Sequence, residues 1–330
     1  MPEVDGQATD SAFSFDPFAH HQFYTEVNRA LVEQTIVYLD QTRAQGEPLR
    51  IVELASGTGA VTELILNGLA LHGRSAVLVG IEPSSDAIAL ARRRLAGRPV
   101  SFIQGDAAEA SSAVGQADAA ILCNAIHLIA DKDACVASLA DVLTPDGVLA
   151  FNTTFYEGAY VAGSQPFYYA LTRQSIAWLR VHHPEVRLAH RGKSTARQWL
   201  SSQDYAELVG RHGLGIIFLE EEPVRFPLRA VRDIGRYSLF IEGALPGVPF
   251  SIGAEALGVA AAHAFEDLQL TLCHATGSRY SHVAAPSRIA SHCGRWTTAA
   301  GPPAGASRVA WRTAHGAIVT RARSAPLSRR

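Results

Sequence analysis

Residues 51–62 constrain the fold more than any other segment, and they read Ile-Val-Glu-Leu-Ala-Ser-Gly-Thr-Gly-Ala-Val-Thr. An apolar run leads into a small-residue turn with glycines at 57 and 59, and an amphipathic stretch follows. This pattern predicts a buried strand, a tight turn and the start of a helix. In an open α/β sheet a ligand binds beside such a turn, because glycine lets it approach the backbone and the helix N-terminus favours negative charge.

Four more apolar runs follow along the chain, and helical patterns separate them. The expected strands are residues 76–81, 100–104, 119–123 and 148–151, and the expected intervening helices include 84–96 and 132–143. Strands and helices that alternate at this spacing indicate βαβ units. The sequence therefore predicts an α/β fold with a doubly wound, mostly parallel sheet.

The first four expected strands carry polar groups at or near their carboxyl ends. Glu53 and Glu82 lie at the first two ends, Gly105-Asp106 at the third and Asn124 at the fourth. A carboxylate such as Glu82 can accept hydrogen bonds from both hydroxyls of a ribose without phosphate. A dinucleotide fingerprint would need a third small residue where Thr62 stands, and a Walker loop would need a lysine that is absent. A glycine-rich turn without a ligand is the alternative.

The segment Glu53-x-Ala55-Ser56-Gly57-x-Gly59, with the strand ends in this order, resembles class I S-adenosylmethionine-dependent methyltransferases of the small-molecule type. The resemblance covers about residues 15–270, and Ala55 stands where the commonest form has glycine. It implies a Rossmann-like methyltransferase sheet that binds S-adenosylmethionine, with Asp106 near the adenine and Asn124 near the methionine portion. The implied cofactor-binding residues are Glu53, Ala55, Ser56, Gly57, Gly59, Glu82, Pro83, Gly105, Asp106, Ala107, Asn124 and Ala125.

The resemblance also suggests how the chain is divided. Residues 1–45 are expected to form an N-terminal lid and helix, 46–155 the cofactor-binding core, and 156–270 a helical insertion after the fifth strand with the end of the sheet. The lid and the insertion are rich in aromatic residues, and the acceptor-binding candidates are Phe18, Phe23, Tyr24, Phe167 and Tyr168. The alternative for the lid is that its rings only pack the helix onto the core.

One histidine is placed where a catalytic base could act. His127 follows the fourth strand and is the candidate base for an acceptor that must lose a proton. The alternative is a histidine that caps the strand end or packs beneath the lid. The thirteen histidines show no metal-ligand spacing, and the four cysteines form no C-x-x-C pair, so no metal is expected.

The last sixty residues differ in composition from the rest. Residues 271–330 contain nine arginines and no acid, whereas residues 1–270 contain 20 basic and 31 acidic residues, a formal charge of −11. Such a split is typical of a nucleic-acid or membrane arm, or of disorder. A third hypothesis is a frame shift, because permitted codons for Leu272–Arg279 read in another frame give Val-Pro-Arg-His-Trp-Leu-Gln, similar to the closing strand of these methyltransferases. We expect a basic, low-order tail.

Three functions are considered. The first is methyl transfer from S-adenosylmethionine to a small, apolar or aromatic metabolite by in-line displacement; the second is cofactor binding without transfer. The third, a nucleic-acid methyltransferase, is disfavoured because Asn124-Ala125-Ile126-His127 lacks the two prolines and aromatic ring expected there and an acidic body repels phosphate. We expect a small-molecule acceptor and no nucleic-acid partner. The acidic N-terminus and the absence of an apolar run of about 18 residues predict a cytoplasmic protein without a membrane span.

Overall fold

The computed structural model describes residues 15–106, 114–159, 164–189, 199–277 and 308–321. These residues fall into two compact units. The first contains residues 15–106, 114–159, 199–222 and 313–321, so the expected lid and core belong together. The second contains residues 164–189, 223–277 and 308–312.

Helices and strands alternate through most of the first unit, and the elements of both units are numbered together in chain order. The strands are β1 (Leu49–Leu54), β2 (Ala76–Glu82), β3 (Val100–Gln104), β4 (Ala117–Cys123), β5 (Leu143–Thr153), β6 (Leu214–Phe218), β7 (Glu221–Pro227) and β8 (Arg308–Arg321). The helices are α1 (Asp16–Ala19), α2 (Gln22–Thr42), α3 (Ala60–Leu71), α4 (Ser85–Arg94), α5 (Lys132–Val142), α6 (Gln165–His182), α7 (Ser202–Arg211), α8 (Leu228–Ile234), α9 (Ser238–Ala244) and α10 (Phe250–Gly277). A 3-10 turn spans Ile126–Leu128.

The sheet confirms the expected α/β, doubly wound architecture. Its strand order is β3-β2-β1-β4-β5-β8-β6, and β1 to β5 pair in parallel. Residues of β4 alternate between two buried clusters: Ala120 and Leu122 pack with α5 and α7, whereas Ala119 and Ile121 pack with α2, α3 and α4. Both faces of the sheet are therefore covered by helices, which explains why its strands read as continuous apolar runs.

Strand β8 corrects the expectation of a low-order tail at residues 308–321. These residues pair antiparallel with β5, from Val148↔Thr320 to Thr153↔Ala314, and antiparallel with β6. The expectation rested on composition, which does not count the backbone hydrogen bonds that a strand gains between two neighbours. The preceding residues 271–277 continue helix α10, and residues 278–307 and 322–330 lie outside the described part of the chain.

The second unit is mainly helical among its described residues. Helix α6 buries Phe167, Leu171 and Leu179, and α10 contributes Ala264 and Phe265 to the buried side chains. The rings of Phe167 and Phe265 meet edge to face, with their centroids 5.0 Å apart. Of all the helices described, none combines the length and the apolar character that crossing a bilayer requires.

Candidate functional site

A buried acid lies near the end of β1, just before the turn that leads to α3. Glu53 is 1% exposed, and the hydroxyl of Thr62 in α3 donates a hydrogen bond of 2.6 Å to its Oε2. Burial raises the pKa of Glu53 to about 8, the Thr62 hydrogen bond lowers it, and the charge of Glu82 raises it further. At neutral pH this carboxyl is therefore mostly protonated. Its hydrogen bond with Thr62 links β1 to α3.

Three residues of this turn adopt left-handed backbone angles. The φ values are +51° for Ala55, +54° for Gly57 and +83° for Gly59. A Cβ added to Gly57 would meet no atom within 4 Å, whereas one added to Gly59 would meet Leu95 Cδ1 at 3.0 Å. Gly59 is thus needed for packing against α4, and Gly57 leaves open backbone at the edge where a ligand can approach.

Glu82 joins the ends of two neighbouring strands. Its Oε2 accepts a 2.9 Å hydrogen bond from the Gly57 N–H, and its Oε1 accepts one of 3.1 Å from the N–H of Ser84, the residue that caps α4. Burial raises the pKa of Glu82, and these two N–H groups oppose that effect. A carboxylate has about four lone-pair positions, so two remain for further donors.

The end of β3 lies beside this carboxylate. The N–H of Gly105 donates to the backbone oxygen of Glu82 at 3.2 Å, and Gln104 Nε2 donates to the oxygen of Pro83 at 3.0 Å. Asp106 is exposed. Ala107, the remaining residue assigned to this strand end, lies outside the described residues. Gly105, Pro83 and Glu82 therefore occupy one edge, as the sequence predicts.

Asn124 follows β4 and is held on several sides. Its φ is +49°, a conformation that asparagine tolerates better than most residues. Its Oδ1 accepts hydrogen bonds from the Thr154 N–H at 2.9 Å and hydroxyl at 2.8 Å. Its own N–H donates to Asn152 Oδ1 at 2.8 Å. The adjacent Ala125 is buried.

His127, the candidate base, lies in an apolar environment. It is 4% exposed, its Nδ1 lies 2.9 Å from the Thr153 hydroxyl, and its ring packs on Phe155. Burial, followed by the charge of Lys132, lowers its pKa to about 3. The ring is neutral at neutral pH, but so low a pKa gives little driving force for accepting a proton. This environment favours the packing role that the sequence left as the alternative.

A polar cluster that the sequence analysis did not identify connects α1 to the glycine turn. The Thr58 hydroxyl donates to Asp16 Oδ1, Arg94 donates to the Thr58 backbone oxygen at 2.8 Å, and Arg94 also contacts Asp16 Oδ1 at 3.1 Å. The Arg94 Nη2 lies 3.1 Å from His20 Nε2. These contacts hold the N-terminal segment against the glycine turn. The sequence feature that could have indicated this cluster is Thr58, the polar residue between the two glycines.

The five aromatic acceptor candidates divide between the two units. Phe18 and Tyr24 are buried in the first unit, and the Phe18 ring meets Phe23 at 5.6 Å and Tyr24 at 5.7 Å between centroids. In the second unit, Phe167 meets Tyr168 edge to face at 5.3 Å. That these side chains bind an acceptor remains a prediction. Within the described ranges, no group of three His, Cys, Asp or Glu residues is arranged to hold a metal ion.

Comparison with known proteins identifies the core. Residues 51–147 match the model of a methyltransferase domain. No curated protein matches the chain. Solved structures with a similar fold include a candidate methyltransferase from Bacillus halodurans (12% identity, 87% of this chain and 99% of that one, TM-score 0.47). A second is the YcgJ protein from Bacillus subtilis (12% identity, 88% of this chain and 99% of that one, TM-score 0.47). A third is a candidate sarcosine dimethylglycine methyltransferase from Galdieria sulphuraria (12% identity, 94% of this chain and 93% of that one, TM-score 0.47).

These distant structural similarities carry no argument about function. The match to the methyltransferase-domain model does bear on function. It begins in β1, includes the glycine turn, Glu82 and Asn124, and ends at Gly147 in β5. It therefore covers the same strands whose carboxyl ends form the site. Residues 51–147 of this chain are therefore similar to a methyltransferase domain, as the resemblance in the sequence implies.

Proposed function

We propose that the protein transfers a methyl group from S-adenosylmethionine to a small apolar or aromatic metabolite. The observation that carries the proposal is Glu82, a buried carboxylate that links the glycine turn to α4 and keeps two lone-pair positions for a ligand. A nucleoside with a free ribose has the two hydroxyl donors that such a carboxylate accepts. The open backbone at Gly57 gives the ligand room to approach.

The residues of the site fit the parts of this cofactor. Glu82 would hold the ribose, the Gly105-Asp106 end of β3 the adenine, and Asn124 the amino-acid portion. When bound, the cofactor supplies an electrophilic methyl group on a sulfonium, which a nucleophile displaces in line. The protein residues then hold the two reactants in line and limit the access of water. Orientation and water exclusion are the main ways in which a protein accelerates such a reaction. The clamp formed by Asp16, Thr58 and Arg94 fixes the N-terminal segment over the turn.

Binding of S-adenosylhomocysteine tests the cofactor assignment. Glu82→Ala should weaken the affinity by about 1–3 kcal/mol, because charge-assisted hydrogen bonds to both hydroxyls are lost. Asp86→Ala serves as a matched control, since it removes an acid from the first turn of α4 without touching the glycine turn. Isothermal titration calorimetry measures both variants. An unchanged affinity for Glu82→Ala would refute the ribose assignment.

The acceptor is proposed to bind under the N-terminal aromatic segment. Phe18 and Tyr24 are buried although α1 and the start of α2 lie at one end of the described chain, so the segment is a packed part of the unit. Deleting residues 1–25 should abolish turnover and leave a folded core by circular dichroism. Mass spectrometry after incubating extracts with methyl-labelled cofactor would identify the acceptor; full turnover by the truncated protein would contradict the proposed site. Cofactor binding with no labelled product would favour the function without transfer.

A further inference from the structure

A chain of buried side-chain amides connects the N-terminal helix α2 to the end of β4. Asn28 Nδ2 donates to the Tyr24 backbone oxygen at 2.9 Å, and Asn28 Oδ1 accepts from Asn152 Nδ2 at 2.8 Å. Asn152 Oδ1 in turn accepts from the backbone N–H of Asn124 at 2.8 Å. The three asparagines are 1%, 3% and 7% exposed.

The backbone at both ends fixes the direction of every amide in this chain. The Tyr24 oxygen can only accept, so Asn28 must present its NH₂ group there and its Oδ1 to Asn152. The Asn124 N–H can only donate, so Asn152 must present its Oδ1 there. Reversing one amide would place two donors or two acceptors face to face in a buried site, which is unfavourable. The chain therefore has one arrangement.

The same logic fixes the polarity of the Asn124 side chain. Its Oδ1 is held by the N–H and the hydroxyl of Thr154, and the backbone N–H is a donor only. The part of the amide left to a ligand is thus the Nδ2 group, and no protein acceptor pairs with it among the described residues. An NH₂ donor recognises an acceptor atom such as a carboxylate oxygen and does not recognise an ammonium group.

We propose that Asn124 binds the carboxylate of the cofactor's amino-acid portion through Nδ2, and that Asn28 and Asn152 are positioning residues that hold it in this state. The inference rests on the proposed use of S-adenosylmethionine. Helix α2 then carries part of the lid and also supports the cofactor site, since Asn28 lies one helical turn after Tyr24 and is linked to Asn124 through Asn152. In the part of the chain that the structure describes, this series of hydrogen bonds joins the lid to the amino-acid end of the cofactor site.

Two nucleoside ligands can be compared to distinguish the contact with the amino-acid portion from the other contacts of the site. S-Adenosylhomocysteine carries the amino-acid portion, and 5′-methylthioadenosine has the same adenosine without it. Calorimetry with both ligands gives a ratio of dissociation constants that reports the amino-acid contact alone. Asn124→Asp keeps an oxygen for Thr154 but replaces the donor with a negative charge. We expect it to weaken S-adenosylhomocysteine binding by about 10-fold or more and to leave 5′-methylthioadenosine unchanged.

The positioning role is tested on α2. Asn28→Leu should weaken S-adenosylhomocysteine binding by about 3- to 10-fold without affecting 5′-methylthioadenosine, because its effect passes through Asn152 to Asn124. Thr35→Val is the matched control: Thr35 is equally buried on the same helix, but its hydroxyl donates to the Leu31 backbone oxygen of its own helix, at 2.7 Å. Thr35→Val should lower the melting temperature but leave the ratio of the two dissociation constants as in the wild type.

Each outcome is decisive. If the wild-type protein binds neither nucleoside, the proposed function itself fails. If it binds both and Asn124→Asp binds S-adenosylhomocysteine more tightly, Asn124 faces the ammonium group and the inference is overturned. If Asn28→Leu weakens both nucleosides equally, as a merely structural change would, Asn28 is not a positioning residue. Should Asn28→Leu fail to fold, Asn124→Asp still decides the polarity of the contact.

Discussion

Replacing Glu53 by glutamine should make the protein more stable at alkaline pH and leave it little changed in acid. In the folded protein the pKa of Glu53 is raised from 4.5 to about 8, chiefly by burial. A folded-state pKa above the unfolded one stabilises the fold fully below about pH 4.5, and this stabilisation is lost as the pH rises towards 8. Glutamine has the same shape, can accept the Thr62 hydrogen bond, and does not ionise.

The size of the effect follows from the shift. Each pKa unit corresponds to about 1.4 kcal/mol, so the shift from 4.5 to about 8 sets an upper limit of about 5 kcal/mol. Water entry and relaxation around the ionised group reduce this, and we expect the gain of Glu53→Gln over the wild type to reach about 2–4 kcal/mol at pH 8.5. Urea unfolding of both proteins at pH 5, 7 and 8.5 measures it.

The difference between the two proteins isolates this one carboxyl, since every other group titrates in both. Thr62→Val removes the donor that favours the ionised form, so the loss of stability should extend to a higher pH. Thr62→Ser keeps the hydroxyl and should follow the wild type. If the wild type and Glu53→Gln differ in their free energy of unfolding by the same amount at pH 5 and at pH 8.5, the argument is refuted.

Four other perturbations have definite expected outcomes. Gly59→Ala forces a positive φ and a contact of 3.0 Å with Leu95, so urea unfolding should show a loss of about 1–3 kcal/mol; wild-type stability would contradict this. Arg94→Met removes the clamp on α1, and limited proteolysis near the N-terminus should become several-fold faster, whereas equal rates would show that the clamp does not hold the segment. His127→Asn should lower the melting temperature and change kcat by less than about 3-fold; a fall of about 100-fold would instead establish a base. Ending the chain after residue 277 should cause aggregation in light scattering, because β5 and β6 lose the partner between them, and a monodisperse sample would oppose this.

The sequence was most informative where local pattern and tertiary environment agree. Strands β1 and β4 are almost entirely buried, so their apolar runs and polar ends could be recognised from the sequence alone. Strand β8 could not be recognised in this way, because it is stabilised by pairing with strands that lie far away in the chain, β5 and β6 among them.

The candidate site shows the same division. The residue types at Glu82 and Asn124 could be recognised because each closes a strand. Asn152 and Asn28 could not be connected, since 124 residues separate them and their hydrogen bond exists only in three dimensions. One signal was present: Asn28 is a polar residue within the apolar stripe of α2, next to Val27 and one turn before Leu31, and a polar group at such a position requires a partner.

The position of β8 between β5 and β6 affects how the chain folds as it leaves the ribosome. Strand β6 is complete at Phe218, but its partner begins only at Arg308, about 90 residues later. At a synthesis rate of ~5–20 residues per second, roughly 5–20 seconds pass before the two can pair. Throughout that interval the outer edge of β5 presents unpaired backbone groups, and chaperones that shield strand edges would have most effect on the yield of this protein then.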